Sequence, residues 1–312
     1  MRHRQLSLTA LVAAAVVALS GCAAGPTEPQ AGLSIVATTT QVADFTRSVV
    51  GDTADVKLTQ LIQPNQSAHS FDPSAADLTA LGHADVLVVN GVGLETWLDD
   101  AIAASGFGGV TIDASTGITL LDGDNPHVWT DPRNANAMVD TIAAGLGDAD
   151  APLAAGFDAN ATAYGAELTL LDEWTRDNID AVPAAERLLV SNHDALGYFT
   201  AAYDVTYVGS VIPSFDDNAE PSAAEIDKLV AAIAETGVKA VFSEASLNPK
   251  AAQTIADEAG VRVYSGPDAL YVDSLGPAGS DGETYIGAQL HNVTRILESW
   301  GVTPSSVPAG LE

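Results

Sequence analysis

The chain has 312 residues, 47% of them hydrophobic, which is enough to bury the core of one large domain or two ordinary ones. It carries 41 Asp and Glu against 12 Lys and Arg, a formal net charge of −29, which argues against nucleic acid and anionic lipid headgroups as partners. A single cysteine excludes an internal disulfide bond. The negative charge either keeps the protein soluble, the interpretation we favour, or raises the local concentration of cations.

The amino terminus has the pattern of a secretory signal. Arg2 and Arg4 precede an apolar, alanine-rich run at residues 6–19 that ends in Leu-Ser-Gly-Cys22. The pattern resembles a lipoprotein signal peptide over residues 1–22, in which Cys22 is lipidated and becomes the first residue of the mature chain. A plain secretory signal with an incidental cysteine is the alternative. Residues 23–32 are rich in Pro, Gly and Thr and predict a flexible tether.

This signal predicts where the protein works. The apolar run is too short to make a good membrane-spanning helix. We therefore expect the folded part to lie outside the cytoplasm, attached to the membrane through the lipid on Cys22. It would face the medium, or the periplasm if the host has an outer membrane.

From residue 33 the chain alternates short apolar runs with helical periodicity. The apolar or β-branched runs at 33–39, 56–62, 84–90 and 109–112 predict strands, and the patterns at 42–50, 74–81 and 94–104 predict helices. Short buried strands alternating with helices are typical of a parallel sheet with helices on both faces. Residues 33–150 are therefore predicted to form an N-terminal α/β lobe.

A long helix is predicted to follow this lobe. Between residues 151 and 180 there is no strand signal, and Pro183 ends the segment. Apolar residues recur at near-helical spacing: Leu153, Phe157, Tyr164, Leu168, Leu171 and Trp174. We predict a connecting helix over residues 151–182.

The alternation of strands and helices then resumes. Strands are predicted at 187–191, 205–209, 238–242 and 261–264, and helices at 222–236, 249–259 and 284–300. Residues 183–312 are thus a second, C-terminal lobe. The predicted fold class is α/β, with two Rossmann-like lobes that contain parallel sheets and are joined by a single long α-helix.

Four residues in separate segments, His69, His127, His193 and Asp273, form a candidate metal-binding set. Three imidazoles and one carboxylate give four nitrogen and oxygen ligands, which suit zinc well and manganese less well. His193 closely follows a predicted strand, and in doubly wound folds ligands bind beyond the carboxyl ends of strands. We therefore predict a metal site in the cleft between the lobes.

Each of these residues also has a structural interpretation. A single histidine near a strand end is usually a capping or hydrogen-bonding residue, and a carboxylate beside Gly and Ser, such as Asp273, is commonly a loop cap. His127 is the best-defined candidate, because Pro126 and Pro132 restrict its loop and Asp131 can cap a following helix. For His69 and His193, only the joint pattern of all four residues supports a role in metal binding.

Two further residues are expected beside the metal. Glu244 is a candidate to accept a hydrogen bond from a ligand imidazole and so orient it. A polar contact between the lobes, or direct coordination in another state, are the alternatives for Glu244. Trp129 lies two residues from His127 and is predicted to wall the cleft. His83 and His291 are predicted to be structural or solvated.

Local motifs carry a resemblance to a known family. They are residues 66–73 (QSAHSFDP), 90–97 (NGVGLETW), 125–132 (NPHVWTDP), 193–199 (HDALGYF), 220–222 (EPS), 242–244 (FSE) and 271–276 (YVDSLG). Together they resemble the metal-binding lipoproteins of ABC-type zinc and manganese importers, the cluster A-I solute-binding proteins. The resemblance runs from about residue 33 to about residue 300.

The resemblance implies a receptor, not an enzyme, that captures one divalent transition metal ion and delivers it to an ABC permease. It assigns the ligand positions to His69, His127, His193 and Asp273. Members that select manganese more often carry glutamate at the third position, so His193 favours zinc over manganese. Zinc-importing members often have a long His-rich loop before the second ligand, and residues 120–126 here contain no histidine before His127. We expect a monomer, with a metallochaperone as a further candidate partner.

Two other classes of function stay open. In a secreted zinc hydrolase the metal keeps three protein ligands and an open water position, so Asp273 would not be a ligand and Glu244 would be the general base. The sequence shows neither a His-Glu-x-x-His helix nor a Gly-x-Ser-x-Gly nucleophile elbow. A cell-adhesion lipoprotein would leave the metal site in place and would reveal itself only through partner binding.

Overall fold

A four-stranded parallel sheet organises the first lobe in the computed structural model, which describes residues 32–121 and 123–311. Its strands are β1 (Leu33–Ala37), β2 (Val56–Gln60), β3 (Val86–Val89) and β4 (Val110–Asp113). They pair in the order β2-β1-β3-β4, and every pair is parallel. The carboxyl ends of all four strands therefore lie at one edge of the sheet.

Helices cover both faces of this sheet, as the buried strands require. They are α1 (Thr40–Val50), α2 (Ala75–Gly82), α3 (Leu98–Ser105) and α4 (Pro132–Ala149). Successive residues of a strand point to opposite faces. Accordingly, Ile35 and Val88 belong to the core beneath α1 and α4, whereas Val36 and Leu87 belong to the core beneath α2 and α3. The Asp131 side chain caps α4, as predicted, by accepting the backbone N–H of Arg133.

A 27-residue helix, α5 (Ala154–Asp180), joins the two lobes. Phe157 and Leu168 in its first half are buried in the core of the first lobe. Trp174 and Ile179 near its end are buried in the core of the second lobe. The helix is thus held at both ends by hydrophobic packing, as the apolar spacing predicted.

The second lobe repeats the parallel pattern with shorter strands. They are β5 (Leu188–His193), β6 (Thr206–Ile212), β7 (Ala240–Phe242) and β8 (Arg262–Tyr264), and β5 pairs with β6 and β7 with β8, both in parallel. The helices are α6 (Gly197–Ala202), α7 (Ala223–Thr236), α8 (Lys250–Ala259) and α9 (Tyr285–Ser299). Helix α6 was not predicted, because six residues are too few to show a helical period. The prediction of two α/β lobes joined by a long helix is confirmed.

Helix α9 also contributes to both cores. Tyr285 and Ile286 in its first turn are buried in the core of the first lobe, and Val293 and Leu297 are buried in that of the second. The segment that leads from β8 into α9 therefore returns to the first lobe, and α9 then continues into the core of the second. Within the described part of the chain, no helix is both long and apolar enough to cross a membrane.

Candidate metal centre

The loop between β2 and α2 positions His69. Its main chain is fixed by the Thr96 hydroxyl, which donates to the His69 carbonyl at 3.0 Å, and by the Trp97 indole, which donates to the Ala68 carbonyl at 2.9 Å. The backbone N–H of His69 donates to Ser67 Oγ at 3.2 Å. These bonds hold the ring in a buried position with only 7% of the side chain exposed.

His127 comes immediately before a short 3-10 helix, Val128–Thr130, and its ring is completely buried. Asn125 Oδ1 accepts both the backbone N–H of His127 at 3.0 Å and its ring Nδ1 at 2.8 Å. Because a backbone N–H can only donate, Oδ1 must be an acceptor, and Nδ1 must carry a proton. The unshared electron pair of the His127 ring therefore lies on Nε2.

His193 is the last residue of β5, and the second lobe fixes its ring through Glu244. Glu244 follows β7 and forms an isolated parallel bridge with Leu270. Its Oε1 lies 2.5 Å from Nδ1 of His193, so a carboxylate occupies the side of the ring away from Nε2. The Nδ1–H donates to that carboxylate, so Nε2 is the nitrogen that can bind a metal once it has lost its proton, as at other metal sites where a carboxylate orients the ligand imidazole.

Asp273 lies in a segment that is hydrogen-bonded to the first lobe, although it comes late in the chain. The carbonyl of Val272 accepts Nε2 of Gln41 at 2.8 Å and the indole N–H of Trp129 at 3.0 Å. Two more bonds join the segment to the first lobe: Leu275 N to Thr40 Oγ1, 2.9 Å, and Asn65 N to Ser274 Oγ, 2.8 Å. The Asp273 carboxylate is therefore positioned by first-lobe residues.

The four side chains converge on one small volume. Nε2 of His127 lies 3.3 Å from Nε2 of His69 and 3.2 Å from Nε2 of His193. Asp273 Oδ2 lies 3.3 Å from His69 Nε2 and 3.1 Å from His193 Nε2, and its Oδ1 lies 3.4 Å from His127 Nε2. One ligand atom from each residue lies within 4.8 Å of the others. Electron pairs that converge at such distances are stabilised by a cation between them.

Burial and charge act on these groups in opposite directions. Burial lowers the pKa of His127 to about 4, in spite of the nearby charge of Asp273. At His193 the charges of Asp273 and Glu244 outweigh burial and hold the pKa well above its usual value. Burial is outweighed at His69 too, where the neighbouring Asp273 carboxylate raises the pKa. The pKa of Asp273 is well below its usual value, because the charges of His193 and His127 outweigh burial.

Two aromatic side chains lie against the His127 ring. Trp129 packs edge-on with ring centroids 5.3 Å apart, and its indole also binds the Asp273 segment, so it has a positioning contact beyond the predicted one. Phe215, from the loop after β6, lies 6.3 Å from the His127 ring. Asn125 and Phe215 were not singled out from the sequence. Asn125 lies within the motif NPHVWTDP at residues 125–132, which was the signal for it, whereas no local pattern pointed to Phe215.

The remaining predicted residues lie elsewhere. His83 is exposed at the end of α2, where its Nδ1 is 2.7 Å from the Thr79 carbonyl, and His291 is buried in α9 with Nε2 3.0 Å from the Ala269 carbonyl. Both have the structural roles that were expected. Cys22 lies outside the described residues.

Comparison with known proteins places the chain in a family. Residues 35–299 match the family described as zinc-uptake complex component A, periplasmic. The manganese-binding lipoprotein MntA of Halalkalibacterium halodurans is 32% identical, over 90% of this chain and 95% of the relative. MntA of Bacillus subtilis strain 168 is also 32% identical, over 94% and 98%. The periplasmic zinc binding protein TroA from Treponema pallidum superposes with a TM-score of 0.79 at 27% identity, over 86% of this chain and 99% of that chain.

The resemblance seen in the motifs is thus confirmed over nearly the whole folded part, and so is the two-lobe fold. Members of this family are solute-binding components of transporters and not enzymes, which excludes the hydrolase alternative. The chain therefore belongs to the zinc-uptake complex component A family, the cluster A-I metal-binding proteins of ABC-type importers.

Proposed function

We propose that this protein captures one divalent transition metal ion outside the cytoplasm, on His69, His127, His193 and Asp273, and delivers it to an ABC permease. The observation that carries the proposal is the convergence of the ring nitrogens of three histidines and one carboxylate oxygen, all within 4.8 Å of one another. The ligands come from both lobes, so the bound ion links them. Glu244 and Trp129 position two of the ligands, as described above.

Zinc is the cargo that we propose on the ligand chemistry. A tetrahedral zinc ion with metal–nitrogen bonds of about 2.05 Å separates its nitrogen ligands by about 3.3 Å. The two Nε2 separations at His127 are 3.2 and 3.3 Å. At a given site of nitrogen and oxygen ligands, zinc also binds more tightly than manganese. Three imidazoles and one carboxylate therefore favour zinc.

Manganese is the second candidate, because the two MntA relatives are named manganese-binding. Manganese prefers oxygen ligands and higher coordination numbers. Both Asp273 oxygens face histidine rings, and neither has a hydrogen-bond partner among the described residues. A bidentate Asp273 would give five donor atoms, which suits manganese better than four.

We also propose that Cys22 is lipidated and attaches the protein to the outer face of the membrane. The signal pattern at residues 1–22 and the lipoprotein names of the MntA relatives support this. Residues 23–32 would be the tether, and the lobes would follow at 33–150 and 183–312 around the connecting helix. Incorporation of a labelled fatty acid by the natural chain, and its loss in Cys22→Ser, would test the anchor.

A competition titration tests the main proposal. The full chain, purified in mild detergent and stripped with a chelator, is titrated with zinc and with manganese against a chromophoric chelator. We expect one equivalent of zinc to bind in the nanomolar range or tighter, and manganese to bind much more weakly. Tighter binding of manganese would assign the cargo to manganese, and no tight binding of either ion would refute the proposed site.

A further inference from the structure

The loop between β6 and α7, residues 213–222, crosses from the second lobe to the first beside the ligands. It touches the first lobe at two points. Phe215 packs 6.3 Å from the His127 ring, and Asp217 Oδ1 accepts the hydroxyl of Ser67 at 2.9 Å. This loop is therefore a direct contact between the lobes that contributes none of the four ligands.

The contact at Ser67 continues into the backbone of a ligand. Ser67 Oγ accepts the N–H of His69 at 3.2 Å while its own hydroxyl donates to Asp217. Asn218 Nδ2 donates to the same Asp217 oxygen at 2.6 Å. A continuous hydrogen-bonded chain thus runs from the main chain of His69, in the first lobe, to a carboxylate of the second lobe.

The Asp217 carboxylate is buried, although it makes only these contacts. It is 6% exposed, and its Oδ2 has no hydrogen-bond partner within the described part of the chain. A buried carboxylate with an unpaired oxygen is costly unless positive charge lies nearby. The ligand site supplies such charge when a cation is bound, so the burial of Asp217 is favoured by the loaded site.

By contrast, the hydrogen bonds that fix Asp273 and His193 hold each of these ligands to one lobe. The segment that carries Asp273 is hydrogen-bonded to the first lobe through Gln41 and Trp129, whereas His193 is fixed to the second lobe by Glu244. An ion bound to both groups would join the two lobes through His193 and Asp273. The bond between Ser67 and Asp217 spans the same gap, so any separation of the lobes at the ligands would break it.

We propose that Ser67 and Asp217 form a latch between the lobes that sets the rate at which the bound cation is released. This inference rests on the proposed function, since it assumes a metal ion at the four ligands. Ser67 and Asp217 are positioning residues: they hold the His69 loop against the second lobe and contribute no ligand.

The test measures zinc dissociation by stopped flow, with an excess of chromophoric chelator added to the zinc-loaded full chain. Loss of a hydrogen bond to a charged group is expected to raise the dissociation rate about tenfold in Ser67→Ala and in Asp217→Ala. In the double variant the rate should rise no further, because both changes remove the same bond. Ser67→Thr keeps the hydroxyl and should restore the natural rate.

Asp216→Asn is the matched control for charge. Asp216 is the exposed neighbour of Asp217. Its Oδ1 accepts hydrogen bonds from Asn218, the second donor to Asp217, and Asn keeps that acceptor while it removes one negative charge from the loop. Its dissociation rate should stay within about twofold of the natural chain, because an exposed charge is screened by salt. An equal acceleration in Asp216→Asn, or fully additive effects of Ser67→Ala and Asp217→Ala, would overturn the latch.

The outcome separates the latch from the proposed function. If the natural chain binds no zinc or manganese, the proposed function fails and the latch with it. If the natural chain binds one equivalent and every variant releases it at the natural rate, only the latch is refuted. Thermal unfolding of each metal-free variant, measured in parallel, identifies any variant that has lost its fold. If Ser67→Ala or Asp217→Ala is unfolded, the zinc dissociation rate of Ser67→Thr tests the latch, and a rate well above that of the natural chain would refute it.

Discussion

Glu244→Gln tests how the negative charge of Glu244, which lies beside Nδ1 of His193, affects zinc binding. Glutamine keeps an oxygen that can accept Nδ1–H of His193, so the ring orientation is retained while the negative charge is lost. The carboxylate is 3% exposed, and water does not screen its charge from an ion at Nε2. Removing the outer partner of a metal-bound histidine typically costs about 10- to 100-fold in affinity, roughly 1.4–2.8 kcal/mol. We expect zinc binding to weaken within this range.

The effect of Glu244→Gln should depend on pH in a defined direction. The charge of Glu244 helps to raise the pKa of His193, so in the natural chain a proton competes with zinc at neutral and lower pH. The Gln variant has a lower His193 pKa and suffers less competition. The ratio of its dissociation constant to that of the natural chain should therefore be smaller at about pH 6 than at about pH 8.5, where fewer His193 rings carry a competing proton.

Competition titrations at both pH values, with Glu235→Gln as an exposed control on α7, measure these ratios. The reasoning requires Glu244→Gln to bind zinc more weakly at the higher pH, while the control is unchanged. Equal affinity of Glu244→Gln and the natural chain at both pH values would mean that the charge is immaterial. In that case Glu244 serves only as a hydrogen-bond acceptor.

His193→Ala should weaken zinc at least about tenfold and leave the far-ultraviolet circular dichroism unchanged, since it removes a ligand but no core packing; His83→Ala is the exposed control. His193→Glu exchanges a nitrogen for oxygen ligands, so the ratio of manganese to zinc affinity should rise by about tenfold or more in the same titration. For the natural chain, zinc affinity should rise between about pH 6 and pH 8, because zinc displaces protons from His69 and His193, whose pKa values are raised, and should level off above those values. Calorimetry in buffers of different ionisation enthalpy would count the released protons, and a count of zero at pH 6 would contradict these shifts. The rate of zinc association should fall with added salt, because screening weakens the attraction of the acidic surface; a rate independent of salt would exclude steering.

Local sequence patterns predicted most of the fold because the spacing of apolar residues follows which side of each strand or helix is buried. The apolar run at 33–39 became β1 at Leu33–Ala37, and the period at 284–300 became α9 at Tyr285–Ser299. The four candidate ligands also came together, although they belong to three sheets: each lies at or beyond the carboxyl end of a strand, where ligands bind in α/β folds. Helix α6 was missed because its six residues, Gly197–Ala202, hold too little periodic information.

The contacts that orient the site were less accessible from sequence. The segment of Asp273 is bonded to Gln41, which is 231 positions away from Val272, and no local pattern encodes such a pair. The same holds for Ser67 and Asp217, which are 150 positions apart. Glu244 was predicted beside a ligand only because family motifs had already marked its segment. The residue types thus predicted which side chains could bind a metal, whereas the tertiary hydrogen bonds that position those side chains were visible only in the structure.

The placement of charge bears on why the chain is so acidic. Eight segments connect the carboxyl end of a strand to the next helix: residues 38–39, 61–74, 90–97, 114–131, 194–196, 213–222, 243–249 and 265–284. None of them contains Lys or Arg, although they include exposed acidic residues such as Asp72, Asp124, Asp216 and Glu220. If the charge served solubility alone, the few basic residues would have no reason to avoid these loops. The loops that follow the strands are thus without basic residues, although Arg47 of α1 reaches Gln60 at the carboxyl end of β2. The net negative charge of these loops attracts cations towards this side of the sheets.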